Sequence, residues 1–471
     1  MKCFDILFSI LTLPEVEFLV PISESLIKEG NRIGFILFHE AGTEILKKKH
    51  IPYFNMHSLK EFTSSPILSE HTVDECATTF GISNLRHLLI HEKLGYNRRN
   101  EDELLVKIIH YLQILDGIFT ENRVKCVIQE LGGFSSNQCL YYAARKNGVD
   151  HVFYEPAAFS KRIVFNLNSY YSDIPERIMN MQYPEEVYSE VESYIKNYFQ
   201  SKDAVIPFKD KYSFADMTLK KIFSLENAKR LRRKLIHKYI FKQREEYDEI
   251  GWVIQYNMLK YIRRWLLQSS YREPDFSCRY IYFPFHVPYD VQLTSRSRLF
   301  YFQEGFVEYV ARIIPPGYKL FIKEHPASIG GHSVSVLRKI LQQHTNTILI
   351  HPRVNSYHLI KNAALIISIN SKVGFEALMQ GKKVVVVGDA FYKKKGVTYD
   401  VCTLNDLEFV INEALKSEKP SQRETMDFLV KAYEWSYPCE LFFMKKENLE
   451  RSRESFYKYL KTENFRELKI R

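Results

Sequence analysis

Two stretches of this chain alternate short apolar runs with amphipathic helical patterns, and a charged, strand-poor stretch separates them. Strands separated by helices pair in parallel and need helices on the sheet faces, so this alternation limits the fold more than any single residue does. In residues 1 to about 165, strand character is found at Ile6 to Ile10, Ile33 to Phe38, near Tyr53, Val124 to Ile128 and Val152 to Tyr154. Helical periodicity falls at Glu15 to Glu29, closed by Gly30-Asn31, and again at Leu104 to Gly117 and Asn137 to Lys146. Residues 170 to 270 lose the strand signal. From Tyr280 it returns, at Tyr280 to Phe283, Leu320 to Ile322, Ile348 to Ile350, Leu365 to Ile369 and Val384 to Val387. Ser421 to Leu460 is helical and charged. The pattern predicts an α/β protein with two Rossmann-like parallel-sheet domains facing a cleft, residues 1–169 and 276–420. A helical insertion over 170–275 and a helical C-terminal segment over 421–471 complete it.

At 471 residues the chain is long enough for two or three domains. A net charge of +10 favours an anionic partner. No recognised nucleic-acid motif accompanies that charge, so the expected partner is not nucleic acid. Seven cysteines are scattered without a C-x-x-C pair. This argues against a disulfide framework or a zinc site and fits a reducing, cytoplasmic compartment. No run reaches the roughly 18 apolar residues of a membrane span.

Ligands in open parallel sheets bind outside the carboxyl ends of the strands. Three strand ends here carry polar clusters. The first is Lys323-Glu324-His325-Pro326, where a histidine on a proline-fixed turn can donate to phosphate or ribose; an ordinary strand-end turn is the plainer alternative. His351-Pro352 repeats the dipeptide and reads as structural. The second is Asn370-Ser371-Lys372-Val373-Gly374 with Glu376. A hydroxyl and free N–H groups opening a helix cradle phosphate, Gly374 permits close approach, and Glu376 can accept from ribose hydroxyls. A simple N-cap uses the same residues. The third is Gly388-Asp-Ala-Phe-Tyr392 with Gly396-Val-Thr398. After Pro284 and Pro288, the stretch His286-Val-Pro-Tyr-Asp290-Val-Gln292 places Asp290 and Gln292 on a constrained loop, with Asp290 a nucleophile, a base or an Asx-turn residue.

The chain lacks an Asp-x-Asp metal clamp, a P-loop and a G-x-G-x-x-G fingerprint. A sugar donor with a single phosphate, a CMP-sugar, needs no divalent ion to neutralise a diphosphate leaving group. No metal ligands and no further cofactor are expected.

From Tyr280 to Leu415 the chain resembles the capsule polysaccharide synthesis/export family, whose characterised members are bacterial β-Kdo glycosyltransferases of GT-B type. The matching elements are Phe321-Ile-Lys-Glu-His-Pro, Asn370-Ser371-x-x-Gly374-Phe-Glu376-Ala-Leu and Gly388-x-Ala-Phe-Tyr392. The family's Q-x-x-x-D-x-Q motif corresponds to His286 through Asp290 and Gln292, with His in the first position. The resemblance implies retaining transfer of Kdo from CMP-Kdo to a glycan or glycolipid acceptor, with Asp290 as nucleophile. It also implies a general base from the first domain, where Glu130 and Glu155 end strands. Lys323, Lys372 or the Lys393–Lys395 run would meet the sugar carboxylate. Another CMP-sugar, a CDP-polyol donor, or a non-catalytic capsule export or assembly role fits the same residues.

Lys229 to Lys242 carries seven Lys or Arg and no acid, with Leu231, Leu235, Ile236, Tyr239 and Ile240 on one helical face. Two readings follow: an interfacial helix in peripheral contact with an anionic inner membrane, or a helix docked on the protein's own core.

Overall fold

The computed structural model describes residues 2–61, 64–200, 218–246 and 249–461. The expected central helical stretch therefore runs through 201–217 and 247–248, and the expected tail through 462–471, which lie outside the described residues. Two sheets form the molecule. The first runs β1 (Cys3–Ile10), β2 (Ile33–Leu37), β3 (Tyr53–Asn55), β4 (Arg123–Glu130), β5 (Asp150–Pro156) and β6 (Arg162–Leu167) in chain order. The second contains β7 (Tyr280–Pro284), β8 (Lys319–Lys323), β9 (Thr347–Leu349), β10 (Leu365–Ser368), β11 (Val384–Val386) and β12 (Tyr399–Asp400).

Every residue of β7, β10 and β11 is buried. A parallel sheet covered on both faces demands such continuous apolar runs. In β1, Ile6, Phe8 and Ile10 join one core and Leu7 the other, as the period of two dictates. Leu7 and Val127 pack with the helices Glu101–Glu121 and Ser135–Lys146. Ile6 and Phe8 pack with Leu13–Lys28 and Lys446–Leu460.

The sequence pattern missed one feature. The first sheet is mixed: β6 runs antiparallel to β5, and β13 (Tyr437–Pro438) pairs antiparallel with β6, giving the order β13-β6-β5-β4-β1-β2-β3. The five residues joining β5 to β6 are too few for a parallel crossover, so the chain must turn back. Pro438 sits on the outermost strand, where its missing N–H costs little ladder bonding. Within the C-terminal segment, Tyr437 to Leu460 pack on the first sheet, whereas the helix Gln422–Trp435 packs on the second.

In the second sheet the order β12-β11-β10-β7-β8-β9 reverses between β10 and β7. In the first it reverses between β1 and β4. These two switch points set where ligands enter.

Candidate active site

Both switch points open into cavities, and the cavities share a residue. The first, about 520 Å³, lies outside β7, β8 and β10 and is closed from the other side by Glu155, Pro156 and Ser172. The second, about 1220 Å³, lies outside β1 and β4 and is lined by Thr12, His91 and Glu130 among others. Asp290 lines both.

At the end of β8, the His325 ring caps the following turn, and Nδ1 accepts the Ala327 N–H at 3.2 Å. The ring proton of the neutral imidazole therefore sits on Nε2. Burial, with His286 nearby, pushes the His325 imidazole down to about 4, so the ring is neutral at physiological pH. Pro326 lines the same cavity. Lys323 is buried, reaches Ser356 Oγ at 2.8 Å, and is pushed by burial down to about 8, with Glu376 opposing. A lysine kept dry beside a cavity binds an anion strongly, because little water must be displaced first.

Past β10, Ser371 caps the helix Lys372–Met379 by accepting from Val373 N–H at 3.1 Å. Asn370 Nδ2 donates to the Gln292 carbonyl and to Ser297 Oγ, at 3.0 and 3.1 Å, which ties this helix start to the Asp290 loop. Asn370 Oδ1 is buried and has no hydrogen-bond partner among the described residues, a free acceptor beside the cavity. Gly374 lies beneath the cap: a Cβ there would stand 2.3 Å from the Tyr392 hydroxyl and 2.9 Å from Ser368 Oγ. That hydroxyl in turn donates to the Ser371 carbonyl at 2.7 Å. Glu376 is buried, accepts from Tyr198 OH at 2.6 Å, and is held by burial above the usual carboxylate range despite Lys372 and Lys323.

The Asp290 loop is strained. Tyr289 adopts φ 71°, a region a bulky side chain rarely enters, and strain of this kind concentrates at functional sites. Asp290 Oδ1 accepts the Gln292 N–H at 3.0 Å, which fixes the carboxylate at the start of the next helical turn. The Gln292 side chain accepts from Arg296 at 3.2 Å. Arg296 and Glu155 form a buried bridge across the cleft, with N···O distances of 2.9 and 2.5 Å. Arg296 also donates to the Tyr170 carbonyl at 2.6 Å. Asn166 and Ser172 donate to Glu155 at 2.7 and 2.6 Å. Burial raises the Glu155 pKa, but Arg296 outweighs it and holds the carboxyl below its usual range.

Of the residues singled out from sequence, Asp290, Gln292, Glu155, Lys323, His325, Pro326, Asn370, Ser371 and Glu376 line the first cavity. Gly374 lies beneath it, and Glu130 lines the second. Sequence reasoning missed His91, Thr294 and Arg296. The Gly132-Gly133 pair after β4 was the available signal for His91, since a Cβ on Gly133 would stand 2.4 Å from the His91 ring.

The basic stretch folds as the helix Leu225–Leu235, continued by a wider turn over Ile236–Ile240, and none of these residues is buried. Among the described residues it joins no hydrophobic core cluster. Arg230, Arg233, Lys234, His237 and Lys238 line the second cavity, whereas Leu235, Tyr239, Ile240 and Phe241 are exposed. Among the described residues no helix is long and apolar enough to cross a membrane.

Residues 181–422 match the family model described as Capsule polysaccharide biosynthesis protein. The chain belongs to that family. FixF of Sinorhizobium fredii is 28% identical over 171 residues, covering 35% of this chain and 39% of FixF. The capsule polysaccharide modification protein LipA of Neisseria meningitidis serogroup B is 26% identical over 118 residues, covering 25% of this chain and 16% of LipA. The chain thus spans less than half the length of either curated relative. Among solved structures, the Thermosulfurimonas dismutans KpsC β-Kdo 2,4 transferase is 14% identical with a TM-score of 0.37, covering 73% of this chain and 94% of that one. The UDP-GlcNAc 2-epimerase of Methanocaldococcus jannaschii is 12% identical with a TM-score of 0.25, covering 92% and 100%. Scores this low carry no functional information.

Proposed function

We propose that the protein is a glycosyltransferase that moves Kdo from CMP-Kdo to an anionic glycolipid acceptor, with retention at the anomeric carbon and no metal ion. The observation that carries this reading is the place of Asp290, a carboxylate where the two cavities meet. Residues 276–420 hold the sugar donor and residues 1–169 the acceptor. In the first cavity the helix start at Ser371, the His325 Nε2–H and Lys323 take the CMP phosphate. Lys372, enclosed beside Glu376, is within the same lining and meets the sugar carboxylate. Asp290 attacks the anomeric carbon from the face opposite the phosphate; the carbon–oxygen bond to CMP breaks, and CMP leaves with the electron pair. The acceptor hydroxyl then displaces Asp290 from the second cavity. Gln292 and Glu155 act by position: both are held by Arg296, which fixes the Asp290 turn against the first sheet.

The basic side chains around the second cavity favour an acceptor that carries negative charge, and the exposed apolar stripe on the same helix supports peripheral attachment to an anionic membrane. A cytoplasmic location follows from a nucleotide-activated sugar donor.

The test is turnover with a panel of CMP-, CDP- and UDP-sugars without added divalent ion. CMP-Kdo should be consumed, and Asp290→Ala should abolish transfer while CMP still raises the melting temperature. An absolute requirement for a divalent ion, or unchanged turnover in Asp290→Ala, would refute the mechanism.

A further inference from the structure

We propose that His91 is the general base that takes the proton from the acceptor hydroxyl, an assignment that rests on the transfer reading above. His91 comes from the short helix Ile90–Gly95 beside the first sheet, yet it lines the second cavity together with Asp290. Its ring packs on Phe134 and Tyr96, with centroids 5.1 and 6.0 Å away, and lies over Gly133, where any Cβ would collide with it. The ring is thus placed by packing before any substrate arrives.

Hydrogen bonding fixes which nitrogen is basic. The Thr294 hydroxyl lies 3.1 Å from the Asp290 carbonyl, which can only accept, so the hydroxyl donates there. Thr294 Oγ1 is also 3.0 Å from His91 Nδ1 and must accept from it. Nδ1 therefore carries the proton, and Nε2 keeps its lone pair. This chain reaches from the first domain to the backbone of Asp290 itself, so base and nucleophile are set in register. Burial keeps the imidazole below its usual value, with Asp290 and Glu92 opposing. Glu92 is itself neutralised by Arg98 and by Lys107 at 3.1 Å, and Lys107 also meets Glu246 at 2.5 Å. A neutral ring at physiological pH is the form a base requires.

The step balances. The acceptor oxygen bonds to the anomeric carbon, the ester to Asp290 breaks and returns its pair to the carboxylate, and the acceptor proton passes to His91 Nε2 and on to solvent. Glu155 is enclosed by Arg296, Asn166 and Ser172, whereas Glu130 lines the same cavity as His91 and is the natural control.

The experiment compares His91→Asn, His91→Gln and Glu130→Gln with the wild type. Asparagine places an N–H where Nδ1 stands and so preserves the Thr294 bond while deleting Nε2. In His91→Asn, one equivalent of CMP should still be released and an adduct on Asp290 should accumulate. Transfer to the glycolipid should fall by about 100-fold or more. Azide, an acceptor with no proton to lose, should restore turnover, and the acidic limb of the kcat/KM profile should vanish. Transfer within about 3-fold of wild type, or equal loss of adduct formation and transfer, overturns the assignment. So does a Glu130→Gln enzyme that alone shows the adduct-accumulating, azide-rescued behaviour. If the wild type releases no CMP and forms no adduct, the transfer reading fails first and takes the base with it.

Discussion

Replacing Arg296 with methionine should separate the two sheets energetically. The side chain is buried, and its guanidinium spans from the Asp290 turn to Glu155, Tyr170 and Ser172. Methionine fills much of the volume but leaves Glu155 enclosed without its counter-charge. Removing one partner of a buried pair costs about 3–5 kcal/mol. Asn166 and Ser172 still donate to Glu155, so the loss should lie near the lower end, about 3 kcal/mol. Urea unfolding at pH 7, followed by circular dichroism and by tryptophan fluorescence, gives the value. The double variant Glu155→Gln/Arg296→Met should recover part of the loss, with a coupling energy of about 1–3 kcal/mol. The sign with pH is also fixed. The folded carboxyl titrates below its unfolded value, so its contribution is complete above that unfolded value and fades as pH falls through the folded one. The deficit of Arg296→Met should therefore shrink in acid. A variant within about 0.5 kcal/mol of wild type at pH 7, or a deficit that ignores pH, would refute the clamp.

Three further outcomes are expected. Gly374→Ala forces a methyl against the Tyr392 hydroxyl and should cost about 1–3 kcal/mol and weaken the thermal shift given by CMP; an unchanged shift would detach the glycine from the nucleotide site. His286 and His151 are buried, with imidazoles pushed by burial from 6.5 to about 4 and about 3, so the unfolded chain takes protons that the folded one refuses. Stability should begin to fall as pH drops through the unfolded value, by about 2 kcal/mol for each at pH 5, and the urea midpoint of His286→Gln should be less sensitive over the same range. Tyr239→Ser/Ile240→Ser/Phe241→Ser should lose binding to vesicles containing phosphatidylglycerol while keeping transfer to a detergent-dispersed acceptor; retained binding would sink the interfacial role of this helix.

The first cavity was legible in the sequence to a large degree, because its residues follow their own strands within a few positions. His325-Pro326 and Asn370-Ser371 are local signals: a strand, a turn residue, a cap. The Asp290 loop was visible for the same reason, just after two prolines. What stayed hidden depends on distance along the chain. His91 sits in a helical stretch with no strand-end mark, and its partner Thr294 is 203 residues away. Arg296 meets Glu155 across 141 residues. No periodicity encodes such pairings. β13 was hidden differently: two residues are too short for an alternating pattern to register.

The return of the C-terminal segment has a consequence for how this protein is made. Phe165, in β6, packs on Tyr437, Phe456 and Tyr459, with ring centroids 5.4, 5.0 and 4.2 Å away. During synthesis the first sheet emerges early, yet the aromatic rings that cover β6 are translated nearly 300 residues later. At ribosomal rates of about 5–20 residues per second, that face waits roughly 15–60 s for its lid. The nascent first domain must spend that interval as an incomplete core with an unpaired strand edge. Its exposure to chaperones and to aggregation is thus set by the last 25 described residues of the chain, Tyr437 to Lys461.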